Sequence, residues 1–311
     1  MTIKGIEELR FGVEDVEKAR RFLGDFGLGA GASEVQDADL YRTLNGSRVY
    51  VYDQHDTRLP EAFEAGSTLR TLVWGVEQAS DLDALAERLA GQPGFAREAG
   101  AVTCRDPQGL TLRFELSTQV EVEIRVPGIN QHGDIRRVDE PSPVYEQAQP
   151  IGIGHVVFFV EDLEAMEAFY SEKLGFQPSD RYIGKGVFMR AGQEGHHHDL
   201  FLLHIPNKPA GLNHVAFTVR DIHEVIGGGL AMNRKQWSTF IGPGRHPISS
   251  AYFWYVNSPL GGAFEYYTND DYLTAAWQPR TLVHSLETFT EWAVEGGLDG
   301  TTRRQVVKQA G

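Results

Sequence analysis

The spacing of apolar residues follows the same succession of strand-like and helix-like patterns four times along the chain. A stretch of alternating apolar positions leads into an amphipathic helical stretch, and three more short alternating stretches follow. Alternation is typical of strands with one buried face, whereas apolar positions three and four apart are typical of a helix. The pattern predicts four units of one strand, one helix and three strands, written βαβββ.

The two halves of the chain repeat each other at an offset of 147 residues. Val-Glu-Asp occurs at 13–15 and again at 160–162, and Phe22 corresponds to Phe169. Repetition at about half the chain length indicates duplication of a module and not a solenoid. We therefore predict an α+β protein with two tandem domains, each made of two βαβββ modules.

Changes in composition suggest where these domains begin and end. Residues 126–150 are rich in Pro, Gly, Gln and charged residues, which is typical of a linker. The predicted domains on either side are 1–125 and 151–285. A helix at 286–295 and a polar tail make up the predicted last segment, 286–311.

Charge and cysteine content narrow the range of partners. The chain has 311 residues and a formal charge of −14, which disfavours nucleic acid and anionic membranes as partners. Its single cysteine, Cys104, allows no intrachain disulfide and no cysteine-based zinc cage. Residues 1–10 lack a signal-peptide pattern, and no apolar run is long enough to span a bilayer. We expect a cytoplasmic protein.

Three ionisable residues interrupt strands of the second half that are otherwise apolar. They are His155, His214 and Glu265. A charge buried without a partner is costly, and one shared divalent cation would remove that cost. Two imidazoles and one carboxylate form the facial triad that binds non-haem Fe(II) and leaves positions open. The alternative is that the histidines are hydrogen-bonded residues of the core.

The repeat provides an internal comparison for these candidate ligands. Their counterparts in the first half are Glu8, Thr71 and Arg113, with Glu115 as the alternative to Arg113 under another register. Ten of the eleven histidines lie after residue 131. A purely structural role would give the duplicated module little reason to replace both imidazoles, so the comparison favours a metal site in the second half.

The same residues resemble the type I extradiol ring-cleaving dioxygenases of the vicinal oxygen chelate superfamily. Gly154-His155 and Asn213-His214 are similar to the two histidine ligand motifs, and Phe264-Glu265-Tyr266 is similar to the carboxylate motif. The resemblance covers most of the chain and is strongest from 154 to 267. It implies curved, funnel-like mixed sheets and a metal in the C-terminal half only, Fe(II) with Mn(II) as the alternative.

Further positions correspond to the acid–base and substrate-binding residues of that family. The pair His197-His198 resembles its paired histidines, of which the second is the acid–base residue, although the run of three histidines leaves His197 as an alternative to His198. His246 corresponds to the loop histidine that hydrogen-bonds a substrate oxygen. Tyr255, ten residues before Glu265, corresponds to the active-site tyrosine.

One motif departs from the family. Many members have Asn-Asp shortly after the loop histidine, where this chain has Ile248-Ser249, which puts the usual support of that loop in doubt. Because successive side chains of a strand point to opposite faces, only some of the neighbouring aromatic residues can line a pocket. The candidates are Phe188, Phe201, Phe253, Trp254 and Tyr266.

The resemblance implies an enzyme that inserts both atoms of O₂ into a catecholic substrate with meta ring cleavage, in aromatic-compound degradation, and that forms a homo-oligomer. Two alternatives use the same scaffold. One is a glyoxalase-like metal-dependent lyase or isomerase, which usually has four protein ligands. The other is a protein that sequesters a ligand without chemistry, a class that generally lacks the triad. A hydroxyphenylpyruvate-type dioxygenase shares the triad, but such chains are usually longer.

Overall fold

The first half of the chain forms one sheet of eight strands. The computed structural model describes residues 1–33 and 35–298. The elements of the first half are β1 (Ile3–Val13), α1 (Val16–Phe26), β2 (Gly29–Gly31), β3 (Asp39–Arg42), β4 (Arg48–Asp53), β5 (Thr68–Val76), α2 (Ala79–Leu89), β6 (Ala96–Glu98), β7 (Ala101–Arg105) and β8 (Thr111–Leu116). The strand order is β2-β3-β4-β1-β5-β8-β7-β6.

The second half repeats this plan and adds strands at both edges. Its elements are β9 (Gly152–Phe159), α3 (Leu163–Ala168, continued by a π-helical turn at Phe169–Lys173), β10 (Gln177–Tyr182), β11 (Gly186–Arg190), β12 (Gly195–His196), β13 (Leu200–Leu203), β14 (Gly211–Thr218), α4 (Ile222–Arg234), β15 (Thr239–Arg245), β16 (Tyr252–Asn257), β17 (Ala263–Thr268), β18 (Tyr272–Leu273), β19 (Arg280–Leu282), α5 (Leu286–Phe289) and β20 (Trp292–Glu295).

The ten-stranded sheet of the second half has the order β19-β10-β11-β13-β9-β14-β17-β16-β15-β20, and β12 pairs separately with β18. Both sheets contain parallel and antiparallel pairs. The predicted α+β class is confirmed. Between β8 and β9 the described chain has no helix or strand, only an isolated bridge between Gln131 and Asp134. No helix among the described residues is long and apolar enough to cross a membrane.

The repeated Val-Glu-Asp motif has a local structural role. Asp15 accepts a hydrogen bond from the Lys18 amide, and Asp162 accepts one from the Ala165 amide, so each aspartate caps the helix that follows it. A carboxylate at this position satisfies one of the amide groups that lack a partner within the helix. The motif therefore recurs because each half begins a helix at the same point of the fold.

The two halves share a hydrophobic core. Phe22 and Phe26 of α1 pack against the ring of Phe264 in β17, at centroid distances of 5.3 and 5.5 Å. The ring of Phe26 stacks on Tyr266 at 4.0 Å, and the Tyr266 hydroxyl donates to the Phe26 carbonyl over 2.7 Å. The helix of the first half thus supports the back of a strand in the second.

The predicted helix at 286–295 is wrong beyond its first turn. Ser285 and Thr288 form a capping box that starts α5, but the backbone is extended at Thr290 and continues as β20. This strand pairs antiparallel with β15 at the sheet edge. Tertiary pairing overrides a weak helical pattern there, because intrinsic propensity is only a weak determinant. The predicted tail at 301–311 lies outside the described residues.

Candidate metal centre

Three neighbouring strands of the second sheet bring His155, His214 and Glu265 together. His155 on β9 pairs with Ala216 on β14, which in turn pairs with Glu265 on β17. His214 lies two residues before Ala216 and therefore projects from the same face of β14. All three side chains are buried, and they form a group of potential metal ligands.

The three nearest side-chain atoms form an almost equilateral triangle. Nε2 of His155 lies 3.2 Å from Oε2 of Glu265 and 3.3 Å from Nε2 of His214, which is itself 3.3 Å from Oε2. Ligand atoms at right angles around a metal, on bonds of about 2.1 Å, are about 3.0 Å apart. Glu265 Oε2 is buried without a hydrogen-bond partner. The triangle therefore fits one face of an octahedral cation.

Charge and protonation in this triangle also suit a cation. Burial raises the pKa of Glu265, but the imidazoles of His155 and His214 outweigh it and lower that pKa, so the carboxylate is ionised. Burial lowers the pKa of His214, which favours the neutral form required of a ligand. His214 Nδ1 lies 2.6 Å from Oδ1 of Asn213. Because an amide oxygen only accepts, Nδ1 carries the proton and Nε2 is free to bind a metal.

A glycine lets an aromatic ring approach the strand that carries His155. A Cβ atom at Gly154 would lie 2.0 Å from the hydroxyl oxygen of Tyr267. The Tyr267 ring is 4.9 Å from that of His155, and its hydroxyl accepts a hydrogen bond from Thr218. Gly154 is therefore required by the packing of Tyr267 beside the candidate ligand.

The structure separates the two histidines that the sequence left as alternatives. His198 lines the cavity, and its ring lies 4.1 Å from the ring of His155. Burial lowers the pKa of His198 well below its ordinary value, and the nearby imidazole of His155 lowers it further. His197 is fully buried, with Nε2 2.9 Å from Oδ2 of Asp180. The geometry favours His198 as the residue that faces a bound molecule.

His246 and Tyr255 form a pair on the other side of the triangle. His246 Nε2 lies 3.0 Å from the Tyr255 hydroxyl, and the Tyr255 ring is 4.9 Å from that of His214. Burial lowers the pKa of His246 to about 4. Burial and the charge of Glu265 raise the pKa of Tyr255 well above its ordinary value. A neutral imidazole and a protonated phenol therefore face the cavity at neutral pH.

The loop at Ile248-Ser249 is supported by its backbone. The Ile248 carbonyl accepts a hydrogen bond from the Arg280 guanidinium over 2.5 Å, and the Ser249 carbonyl accepts one from the Asp271 amide over 2.9 Å. Both loop side chains are buried. Contacts from the segment after β17 thus hold this loop without an Asn-Asp pair. Sequence reasoning missed these partners, which lie far away along the chain.

A cavity of about 540 Å³ opens in front of the triangle. Its charged lining residues are acidic, Glu265, Asp270 and Glu295, and the described lining includes no lysine or arginine. Of the five aromatic residues predicted as candidates, Phe188 and Phe201 line the cavity. The other three, Phe253, Trp254 and Tyr266, pack in hydrophobic clusters away from it. The apolar lining residues include Val157, Phe159, Phe188, Phe201, Leu203, Ile205, Phe240, Ile241, Ile248 and Phe289.

The corresponding face of the first sheet is filled by ion pairs. Glu8, the counterpart of His155, accepts hydrogen bonds from Arg48 over 2.6 Å and from Arg10 over 2.5 Å. Arg48 also contacts Glu115, which in turn pairs with Arg113. Fixed guanidinium groups thus balance the carboxylates there. This asymmetry agrees with the expectation that the second half carries the metal site.

The match to a known protein family also lies in the second half of the chain. Residues 152–266 match the model of the Glyoxalase/Bleomycin resistance protein/Dioxygenase superfamily. This segment of the second half is similar to that superfamily. The matched segment runs from β9 to β17 and therefore includes all three residues of the triangle.

Two known dioxygenases are similar to nearly the whole chain. Metapyrocatechase 2 of Cupriavidus necator is 27% identical over 88% of this chain and 84% of its own. Biphenyl-2,3-diol 1,2-dioxygenase of Paraburkholderia xenovorans (strain LB400) is 27% identical over 92% and 91%. The predicted resemblance to extradiol dioxygenases is confirmed at the level of these relatives.

Solved structures show the same fold at lower identity. A catechol 2,3-dioxygenase has a TM-score of 0.71 and 19% identity, covering 96% of this chain and 97% of its own. A Mn(II)-bound glyoxalase from Novosphingobium aromaticivorans has a TM-score of 0.74 and 19% identity, covering 95% and 93%. Because both activities occur on this fold, the function of the chain must be argued from its site.

Proposed function

We propose that this protein is an Fe(II)-dependent extradiol dioxygenase, with Mn(II) as the alternative metal, that cleaves the ring of a catecholic substrate. The observation that carries the proposal is the triangle of His155, His214 and Glu265 at the base of an apolar cavity. These residues would hold the metal through Nε2, Nε2 and Oε2. When bound, the metal supplies the redox chemistry that joins O₂ to the substrate.

The protein's own contribution is to orient the substrate and to move protons. His198 accepts a proton from a catechol hydroxyl, since its neutral imidazole faces the cavity beside His155. The same residue can return that proton later. Tyr255 and His246 lie opposite. Because the Tyr255 hydroxyl donates to Nε2 of His246, its oxygen is left to accept a hydrogen bond from a substrate hydroxyl, and His246 orients it.

The cavity favours an uncharged catechol with an apolar substituent. Its volume is within the range of sites that enclose small organic ligands, and most of its wall is apolar. A carboxylate substituent would meet Asp270 and Glu295 without a lysine or arginine to balance it in the described lining. Burying such a charge is costly, so carboxylated catechols are disfavoured.

Metal reconstitution with oxygen uptake tests the proposal. The chain is loaded anaerobically with Fe(II), and uptake is followed with biphenyl-2,3-diol and with a catechol that carries a carboxylate side chain. We expect one O₂ per ring opened, a new absorbance of the ring-opened product, and kcat/KM at least tenfold higher for the uncharged substrate. Equal rates for both substrates would contradict the substrate class but not the reaction.

A pair of histidine variants provides the control. His214→Ala should lose bound iron and turnover together. His204→Gln should keep both, because His204 bonds the Val160 carbonyl away from the cavity. Absence of oxygen uptake, with lyase activity on Ni(II) or Zn(II), would support the glyoxalase-like alternative. Ligand binding that persists in His214→Ala, with no turnover in the parent protein, would instead indicate sequestration.

A further inference from the structure

A chain of buried polar groups extends behind His198, away from the cavity. His198 Nδ1 lies 3.1 Å from Nδ1 of His197, and His197 Nε2 lies 2.9 Å from Oδ2 of Asp180. The Arg280 amide donates to Oδ1 of Asp180 over 2.7 Å, and its guanidinium also contacts that carboxylate. These residues come from three separate segments of the chain, and both His197 and Asp180 are fully buried.

We propose that Asp180 and His197 are positioning residues that fix His198 in the tautomer with its proton on Nδ1 and a free lone pair on Nε2. This inference rests on the proposed function, in which His198 accepts a proton from the substrate. It identifies Asp180, which no sequence motif marked, as a determinant of that step.

The tautomer follows from the donors and acceptors along the chain. The Asp180 carboxylate is paired with Arg280 and can only accept hydrogen bonds, so His197 Nε2 carries a proton and donates it. In a neutral His197 ring that donates from Nε2, the other nitrogen, Nδ1, is an acceptor. Because two nitrogens 3.1 Å apart need one proton between them, the proton lies on His198 Nδ1.

The free lone pair of His198 then belongs to Nε2. A neutral imidazole has one donor and one acceptor nitrogen, and Nδ1 of His198 is occupied by His197. Since His198 lines the cavity, Nε2 is the nitrogen left to accept a proton there. The opposite tautomer would present an N–H to a substrate hydroxyl and could not act as its base.

The loop that carries the two histidines is anchored independently. The His197 amide donates to Oδ2 of Asp270, and His196 Nδ1 lies 3.1 Å from Oδ1 of the same carboxylate. Residues Gly195 and His196 also pair with β18. Replacing Asp180 therefore removes the hydrogen bond to the His197 ring while these backbone anchors remain, which makes the inference testable by substitution.

Imidazole nitrogen NMR of the full-length chain tests the tautomer directly. The ¹⁵N resonances of His198 are assigned by their loss in His198→Asn. We expect the parent protein to show a protonated Nδ1 and an unprotonated Nε2. Asp180→Asn and His197→Leu should show mixed or inverted tautomers. His197→Gln should keep the parent pattern, because its amide can both donate to Asp180 and accept from His198.

Kinetics supply the second readout. Asp180→Asn and His197→Leu should lower kcat by roughly 10- to 100-fold with little change in KM, as for other residues that orient a reacting group. His197→Gln should recover most of the loss, and His204→Gln, whose ring bonds the Val160 carbonyl away from the cavity, should match the parent. An unchanged His198 tautomer in both damaging variants would overturn the inference. Because the NMR experiment needs no turnover, a protein with the expected tautomer but no dioxygenase activity would refute only the proposed function.

Discussion

Nδ1 of His246 lies 2.8 Å from the carbonyl oxygen of Phe289, a residue 43 positions later in the chain. Because a carbonyl only accepts, Nδ1 donates and Nε2 is left to accept from Tyr255. The segment after β17 therefore does more than close the sheet edge. It fixes which nitrogen of His246 accepts the hydrogen bond from Tyr255 beside the cavity.

Burial of His246 should make the unfolding free energy depend on pH. The pKa of His246 is about 4 in the folded protein and 6.5 when unperturbed. Between these values the unfolded chain binds a proton that the folded protein does not, so stability falls as pH falls from 6.5 to 4. For the metal-free protein we expect about 2 kcal/mol of this loss at pH 5 to come from His246.

Urea unfolding at pH 7 and pH 5 measures this contribution. His246→Gln should lose less stability between the two pH values than the parent, by about 2 kcal/mol. His55→Gln, an exposed histidine of the first half, should behave as the parent does. An identical pH dependence in His246→Gln and the parent would show that His246 is not held neutral by burial.

Asn213 should contribute to metal affinity through His214. Removing its side-chain oxygen in Asn213→Ala frees the His214 ring to rotate, and we expect metal affinity to fall by roughly 10- to 100-fold. Asn213→Asp keeps an acceptor and should bind nearly as tightly as the parent. Anaerobic competition against a chelator measures both. Equal affinities for the alanine variant and for Asn257→Ala, a remote control, would contradict this role.

Asp106 should have the opposite pH behaviour from His246. Its Oδ1 accepts from the amides of Gln108 and Leu110, whereas Oδ2 is buried without a hydrogen bond. Burial raises the pKa of Asp106 from 3.8 to about 7. The folded protein thus retains a proton that the unfolded chain loses, and stability decreases as pH rises from 3.8 to 7.

Replacing the Asp106 carboxylate with an amide should remove this loss of stability at high pH. Asp106→Asn keeps an oxygen for the two backbone amides and carries no charge. We expect the variant to be more stable than the parent at pH 8, by up to about 4 kcal/mol, with a flatter dependence on pH below 7. A variant that is less stable than the parent at pH 8 would mean that the carboxylate is ionised and satisfied in the fold.

The sequence predicted the parts of the site that lie on regular strands. His155, His214 and Glu265 could be identified because each interrupts an apolar pattern whose period fixes the face of the strand. Asp180 could not, since it lies in a short polar strand and its partner Arg280 is 100 positions away. Such contacts depend on tertiary pairing, which local periodicity does not report.

The C-terminal segment shows the same limit. A short apolar pattern at 286–295 is compatible with either a helix or a strand, and pairing with β15 decides between them. The hydrogen bond from His246 to Phe289 depends on that pairing. It uses a backbone carbonyl, and backbone carbonyls have no signature in the sequence.

Alternation along β17 has one more consequence. Glu265 faces the cavity, while its neighbours Phe264 and Tyr266 face away from it and rest on α1 of the first half. The position of the carboxylate is thereby tied to a helix from the half that lacks the ligands. The two halves are consequently not interchangeable parts. We expect the second half on its own to lose order at the strand that carries Glu265, because α1 of the first half packs against the back of that strand.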